Sequence, residues 1–188
     1  MTSKPWIRVI RPPQAEGRLK EIYDDIREKR GKIAEIHIIH SLHPESLLAH
    51  MDLYLTLMFG RSPLHRRERE LLGVATSAVN ACDYCVAHHS DALARYEKRQ
   101  AYIRKVQQRA WEDLEPRDRA LCRFAEKLTR TPWAVKMGDL EALQAHGYDD
   151  TAILDIVQII AYFNFVNRLV LGLGVPLESE EERQGYRY

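Results

Sequence analysis

The sequence predicts an all-α protein, and three features of its pattern indicate this class. Several segments carry apolar residues three and four positions apart, the spacing that places side chains on one face of a helix. Helix start and stop signals, chiefly proline, asparagine and glycine, separate these segments. No two β-branched runs joined by a turn signal are visible. With 188 residues and 45% apolar composition, the chain is long enough for one sizeable core.

The first four helices follow from this spacing. One is predicted to end near Gly31, and a short helix is predicted at 33–42, where β-branched residues suggest a strand that has no partner. A third begins at Pro44 and ends near Gly60, and a serine and a proline at 62–63 signal a fourth. The apolar positions of the first helix are Leu19, Ile22, Tyr23 and Ile26. Those of the third are Leu47, Leu48, Met51, Leu55 and Met58, and those of the fourth are Leu64, Leu71, Leu72, Ala75, Ala78 and Val79.

Asn80 interrupts the fourth helix just before two cysteines. If Asn80 caps a new helix, Cys82 and Cys85 lie in or near its first turns. Unpaired backbone N–H groups and the positive end of the helix dipole favour a thiolate there, so this position by itself favours Cys82 as the thiol of lower pKa.

The second half of the chain is predicted to be helical as well. Helices are expected at 97–108, at 116–129 and in a segment that stops at Gly147. The most apolar segment, 151–171, is predicted to be the central buried helix. The polar tail, 178–188, is expected to fray or to lie on a neighbouring element.

Chain length and charge limit the possible organisation and partners. One domain over residues 1–177 is expected, with its motif core at about 64–97. The 28 lysines and arginines balance 27 acidic residues, which argues against nucleic acid and anionic membranes as partners. The N-terminus lacks a leader-like apolar run, and no stretch approaches the eighteen or so apolar residues of a membrane span, so we expect a cytoplasmic protein.

The residues that indicate chemistry are Cys82, Cys85 and His89, at the spacing C-x2-C-x3-H, with Glu70 twelve positions before the first cysteine. On a helix, the two thiols and the imidazole share one face. A dithiol attacks a peroxide only as a thiolate, and an imidazole with a carboxylate behind it can take up and return the proton. Because Cys122 is distant and the chain has only three cysteines, we expect the close pair to cycle between dithiol and disulfide.

Other interpretations of these residues compete with a redox site. A C-x2-C pair also binds zinc, but a structural site needs four ligands and no second pair exists, so we expect neither metal nor cofactor. Two buried core cysteines are a further alternative, which a histidine one turn after Cys85 makes less favourable. Three other histidines repeat every third residue without nearby acidic or cysteine ligands, and we assign no role to His37, His40 and His43.

Two sets of polar residues are left with open interpretations. Periodicity favours Glu68 over Glu70 as the buried carboxylate, and a salt bridge with Arg66, Arg67 or Arg69 is the alternative for either. Polar residues also interrupt the apolar segment 151–171, and they must be hydrogen-bonded to structural partners, a neighbouring subunit or a ligand. Structural partners are the favoured interpretation for Asn164, Asn167 and Arg168.

Residues 69–89 resemble the core motif of the AhpD-like alkylhydroperoxidases, within the carboxymuconolactone decarboxylase superfamily. The motif E-x11-C-x2-C-x3-H matches Glu70, Cys82, Cys85 and His89, so the resemblance favours Glu70 over Glu68. The wider chain, over most of residues 5–177, resembles the subgroup of peroxidase-related proteins. The resemblance implies an AhpD-like helical bundle with a C-x2-C helix, assembled as a homotrimer or hexamer.

The resemblance also implies a reaction. Cys85 would attack a peroxide substrate, Cys82 would resolve the product to a disulfide, and Glu70 with His89 would relay the proton. An external dithiol, of the lipoyl type, would then reduce the disulfide. Tyr84 stands where the best-studied branch of the family has a histidine, and it cannot relay a proton near neutral pH as imidazole does. A decarboxylase of the wider superfamily and a redox-responsive, non-catalytic oligomer are the alternatives.

Overall fold

The computed structural model describes residues 4–184, and over these residues it contains ten α-helices and no β-strand, which confirms the all-α class. Short 3-10 turns at Pro12–Gln14, Trp111–Asp113 and Pro132–Ala134 connect some of them. The helices are α1 Gly17–Arg30, α2 Glu35–Ile38, α3 Pro44–Phe59, α4 Arg66–Val79, α5 Asp83–Leu93, α6 Gln100–Gln107, α7 Pro116–Arg130, α8 Met137–Gln144, α9 Asp150–Leu173 and α10 Glu180–Gln184.

These helices form two compact units. One consists of the residues up to Tyr54 together with those from Leu169 onward, and the other of Leu55–Arg168. The predicted division into one domain, 1–177, and a polar tail stays a prediction. All of the predicted site residues lie within the second unit.

In the first unit, α1 buries its apolar face. The apolar residues predicted for this helix are buried, and the Tyr23 hydroxyl donates to the carbonyl oxygen of Ile10 over 3.0 Å. In the tail, the Glu178 carboxylate accepts the backbone N–H of Glu35 at the start of α2 over 2.8 Å. Ser179 caps α10 through the backbone N–H of Glu182. The end of the predicted tail, residues 185–188, lies outside the described residues.

The second unit is organised around α4, which packs against α5, α6 and α7. Spacing predicts one apolar face, but all ten residues from Glu68 to Ser77 are buried, so polar groups on α4 need protein partners. Arg69 shows how one is satisfied: its guanidinium donates to the carbonyl oxygens of Leu57, Gly60 and Leu64. These bonds fix the connection between α3 and α4.

The structure corrects the predicted role of Asn80. Asn80 is the C-terminal cap of α4 rather than the N-terminal cap of α5, and Cys82 takes the N-cap position of α5. The predicted C-x2-C helix is therefore not observed, because α5 begins at Asp83 and contains only Cys85. The reason is Ala81, whose φ of 53° turns the chain sharply between the two helices.

The predicted central helix differs in its burial. Residues on one side of α9 are buried, while Leu154 and Phe165 on the other side are exposed, so α9 is not buried all around. In the part of the chain that the structure describes, α9 is also the one helix long and apolar enough to cross a membrane, with a mean hydropathy of 1.6. The expectation that no stretch approaches this length is thus wrong, but core helices of soluble proteins meet the same criterion.

Gly73 provides a stability test of the contact between α4 and α9. A Cβ atom at Gly73 would lie 2.7 Å from Cζ of Phe163, so we expect Gly73→Ala to lower the free energy of unfolding by about 1–3 kcal/mol. At Gly172, nothing lies within 4 Å of the added atom, and alanine there should be neutral or stabilising by up to about 1 kcal/mol. Urea unfolding followed by circular dichroism measures both. Equal stability of Gly73→Ala and wild type would contradict the close contact.

Candidate redox site

A strained turn holds the first cysteine at the start of α5. Ala81, exposed and in the left-handed region, follows the end of α4 directly. The backbone N–H of Cys82 then donates to the carbonyl oxygen of Ser77 over 3.0 Å. Because the N-cap residue lies beside the unpaired N–H groups of the first helical turn, the Cys82 sulfur is in a setting that favours negative charge.

Cys82 and Cys85 are 3.4 Å apart, and both are buried. The Cys85 thiol hydrogen-bonds to the Cys82 sulfur, which lowers the pKa of Cys82 below its usual range despite the opposing effect of burial. The same bond, together with burial, raises the pKa of Cys85 well above its usual range. Of the two sulfurs, Cys82 is therefore the one whose thiolate is favoured, as the position at the helix start predicts.

Glu70 pairs with His89, which lies near the cysteines in the sequence. The Glu70 carboxylate is fully buried on α4 and lies 2.7 Å from Nδ1 of His89, one turn after Cys85 on α5. Arg66 donates to the other carboxylate oxygen through Nε over 2.9 Å. Burial would raise the pKa of Glu70, but the charges and hydrogen bonds of His89 and Arg66 together hold it below its ordinary value. Phe163 packs edge-on against the imidazole, with ring centroids 4.5 Å apart.

Glu68, which periodicity favours, is also buried but has different partners. Its carboxylate accepts the Tyr148 hydroxyl over 2.7 Å, the Arg117 side chain over 3.1 Å and the backbone N–H of His65 over 2.9 Å. Periodicity therefore identifies a buried carboxylate correctly. It does not identify the one beside His89, because all sides of α4 are buried.

A polar network on the other side of the cysteines was predicted only in outline. Asn167 is fully buried, and its Nδ2 donates to the Ser77 hydroxyl over 3.1 Å. Asn80 donates both to Asn167 and to Asn164, over 2.9 and 3.0 Å. Asn167 and Ser77 also hydrogen-bond to Cys85. The signal for this network in the sequence is the presence of amides inside the most apolar segment.

The remaining candidate residues lie in local contacts. Tyr84 and His88 pack with ring centroids 4.5 Å apart on α5. In the third-residue repeat of histidines, Nδ1 of His37 accepts the backbone N–H of Ala34, and Nδ1 of His43 accepts the backbone N–H of Ser46. Nδ1 of His40 lies 3.1 Å from the Ser46 hydroxyl. Among residues 4–184, no cluster of three or more His, Cys, Asp or Glu side chains could hold a metal ion.

Comparisons with known proteins identify chains that are similar to this one. The family model described as PA26 p53-induced protein (sestrin) matches residues 7–186. The uncharacterized protein YdfG of Bacillus subtilis (strain 168) is 27% identical over 139 residues, which cover 72% of this chain and 91% of YdfG. Sestrin-2 of Mus musculus is 22% identical over 155 residues, covering 81% of this chain but only 31% of sestrin-2. The chain thus spans less than a third of that relative.

Solved structures confirm the AhpD-like fold. An uncharacterized peroxidase-related protein with the alkylhydroperoxidase AhpD core, from Ralstonia eutropha JMP134, is 29% identical with a TM-score of 0.85, covering 94% of this chain and 93% of its own. A peroxidase-related protein from Silicibacter sp. TM1040 is 28% identical with a TM-score of 0.79, covering 86% and 85%. The debrominase Bmp8, 17% identical with a TM-score of 0.71 over 89% and 90%, shares the fold alone.

The pKa difference between the two cysteines predicts an order of alkylation. We expect iodoacetamide to label Cys82 at lower pH than Cys85, because only thiolates react. Buried Cys122, whose pKa burial raises, is an internal reference that should react last. Mass spectrometry of peptides after labelling across a pH series gives the order. As a matched pair, Cys85→Ala should raise the pKa of Cys82 more than Cys85→Ser, which keeps a hydroxyl donor. Labelling of Cys85 before Cys82 would contradict the assignment.

The lowered pKa of Glu70 predicts how stability depends on pH. A carboxylate with a lowered pKa contributes stability above the pKa of the unfolded chain, about 4.3, and this contribution is lost as the pH falls through the folded-state value. We expect Glu70→Gln to cost about 3–5 kcal/mol at pH 7, because Arg66 and His89 lose a buried partner, and to cost less below pH ~4.

Urea unfolding at several pH values measures this difference. The matched control is Glu115→Gln, which replaces an exposed carboxylate of the same unit and should change stability by less than about 0.5 kcal/mol. A cost for Glu70→Gln that stays constant down to pH ~3 would show that the Glu70 carboxylate is not stabilised by its partners.

Proposed function

The chain belongs to the PA26 p53-induced protein (sestrin) family, and from this premise we propose that it is a thiol-dependent peroxidase that reduces hydroperoxides through a dithiol–disulfide cycle of Cys82 and Cys85. The fold relationship to AhpD-like, peroxidase-related proteins supports a peroxidase or antioxidant role. The observation that carries the specific mechanism is the 2.7 Å contact between Glu70 and His89, one helical turn from the buried sulfur pair.

Cys85 attacks first in this mechanism. Its raised pKa means that it needs a base, and His89, held by Glu70, accepts the proton. The Cys85 thiolate attacks one oxygen of the hydroperoxide, so that an S–O bond forms and the O–O bond breaks. The alkoxide leaves with the proton from His89 as an alcohol, and Cys85 becomes a sulfenic acid.

Cys82 then resolves the sulfenic acid. The pKa of Cys82 lies below its usual range because Cys85 hydrogen-bonds to it, which favours the thiolate that this step needs, and Cys82 lies 3.4 Å from Cys85. Attack on the Cys85 sulfur forms the disulfide, breaks the S–O bond and releases water after protonation. The external reductant, which we propose to be a lipoyl-type dithiol, regenerates the pair by exchange and is itself oxidised.

We further propose that the protein forms a homo-oligomer, trimeric or hexameric, and that it lies in the cytoplasm.

Peroxide consumption with dihydrolipoamide as reductant tests the proposal. We expect Cys82→Ser and Cys85→Ser each to lower turnover at least about 100-fold, because either change prevents the disulfide. Cys122→Ser changes a buried cysteine outside the pair and should keep turnover. Oxidised wild type should lose two hydrogens in a peptide pair that links Cys82 to Cys85.

Three further outcomes separate the alternatives. Trapping with dimedone should detect a sulfenic acid in Cys82→Ser but not in Cys85→Ser, and the reverse result would make Cys82 the attacking cysteine. Activity on a lactone or carboxylate substrate that survives loss of both cysteines would favour the decarboxylase function. An oxidation-dependent change in size without peroxide turnover would favour the redox-responsive oligomer.

A further inference from the structure

Asn167 is a fully buried amide in an apolar helix, and the proposed cycle of Cys82, Cys85, His89 and Glu70 does not use it. Burying a polar amide is costly unless its donors and acceptor are satisfied. Asn167 meets this condition by hydrogen bonds to Asn80, to Ser77 and to Cys85. An apolar residue would fill the same space without this requirement, but it would give the sulfur no hydrogen bond.

The orientation of the Asn167 amide follows from its neighbours. The carbonyl oxygen of Ile160 can only accept, so the Asn164 atom 3.0 Å from it is the Nδ2 donor, and Oδ1 of Asn164 faces Asn80. The Arg168 guanidinium, which can only donate, lies 2.8 Å from the same Oδ1 and requires the same orientation.

The orientation of the Asn80 amide determines that of Asn167. Oδ1 of Asn164 can only accept, so the Asn80 atom that faces it is the Nδ2 donor, and the same Nδ2 also donates to Asn167. Asn167 must therefore present Oδ1 to Asn80, and its two N–H donors face the opposite side. On that side lie the Ser77 hydroxyl and the Cys85 sulfur. A flipped Asn167 would place two NH₂ groups against each other.

Ser77 completes the arrangement. Its oxygen accepts one N–H of Asn167, which leaves the hydroxyl proton for the Cys85 sulfur. The amide and the hydroxyl both hydrogen-bond to Cys85 and favour its charged form, against burial and the bond to Cys82. The titratable group that acts on Cys85 by charge is Cys82, and His89 follows one turn later on α5.

We propose that Asn167 and Ser77 form a donor pair that stabilises the Cys85 thiolate, and that Asn80 and Asn164 are positioning residues that orient this pair. The proposal deepens the proposed peroxidase function and rests on it for the role of Cys85 as the attacking sulfur. When the Cys85 proton passes to His89, the negative charge on Cys85 is met by two donors already in place. No reorientation of a buried dipole is needed at that moment.

Thiolate formation at Cys85, measured separately from turnover, tests the donor pair. In a Cys82→Ser background, which removes the charge of the other sulfur, the rate of Cys85 alkylation is measured against pH. We expect Asn167→Ala and Ser77→Ala each to raise the midpoint by about one pH unit, which is a tenfold loss of thiolate below the midpoint. Ser77→Thr keeps the hydroxyl and should restore most of the wild-type midpoint.

Thr76→Val is the matched control, because it removes a buried hydroxyl from the neighbouring position of α4 and should leave the midpoint within about 0.2 of the parent. Ser77→Ala removes a single oxygen, so its alkylation midpoint still tests the donor pair if Asn167→Ala does not fold. An unchanged midpoint in the Asn167 and Ser77 variants, or an equal shift in Thr76→Val, overturns the donor pair.

The same series distinguishes this proposal from the proposed function. Shifted midpoints in a protein that consumes no peroxide support the donor pair and reject the peroxidase. Unshifted midpoints in a protein that consumes peroxide normally reject the donor pair and leave the peroxidase standing.

Discussion

The close approach of α4 and α9 at Gly73 is the constraint on which the candidate site depends. The Phe163 ring occupies the space that a side chain at Gly73 would need, and the same ring packs against His89. One turn further along each helix, Ser77 meets Asn167. A single glycine on α4 thus allows both the imidazole and the sulfur to be contacted from α9, because without it the two helices could not come so near.

Burial of α4 on all sides explains why its charged residues are so fully paired. A buried charge is tolerated only when an opposite charge or several hydrogen bonds compensate its lost hydration. Arg69 binds three carbonyl oxygens, Glu68 binds Tyr148 and Arg117, and Glu70 binds Arg66 and His89. The carboxylate beside the imidazole is therefore part of the folding chemistry of α4 as well as of the site.

Much of this arrangement could be predicted from the sequence. Helical spacing predicts most of the helices, including the start of α7 at Pro116 but not α10, and the motif residues Glu70 and His89 lie in contact. The helix start also predicts which cysteine has the lower pKa. What spacing could not predict depends on contacts between distant segments, such as the bond from Asn167 to Ser77, ninety positions apart. Periodicity alone did not identify Glu70 for a related reason, since it cannot rank the faces of a helix that is buried on all sides.

The left-handed alanine before Cys82 has a mechanical consequence. Any residue with a Cβ atom resists this conformation by about 1 kcal/mol, whereas glycine adopts it freely. Alanine at position 81 therefore makes the turn slightly less stable but also less pliable, since fewer backbone angles are open to it. The turn is therefore rigid rather than hinge-like, and it keeps the Cys82 sulfur close to Cys85 while the charge and the bonds of the two sulfurs change.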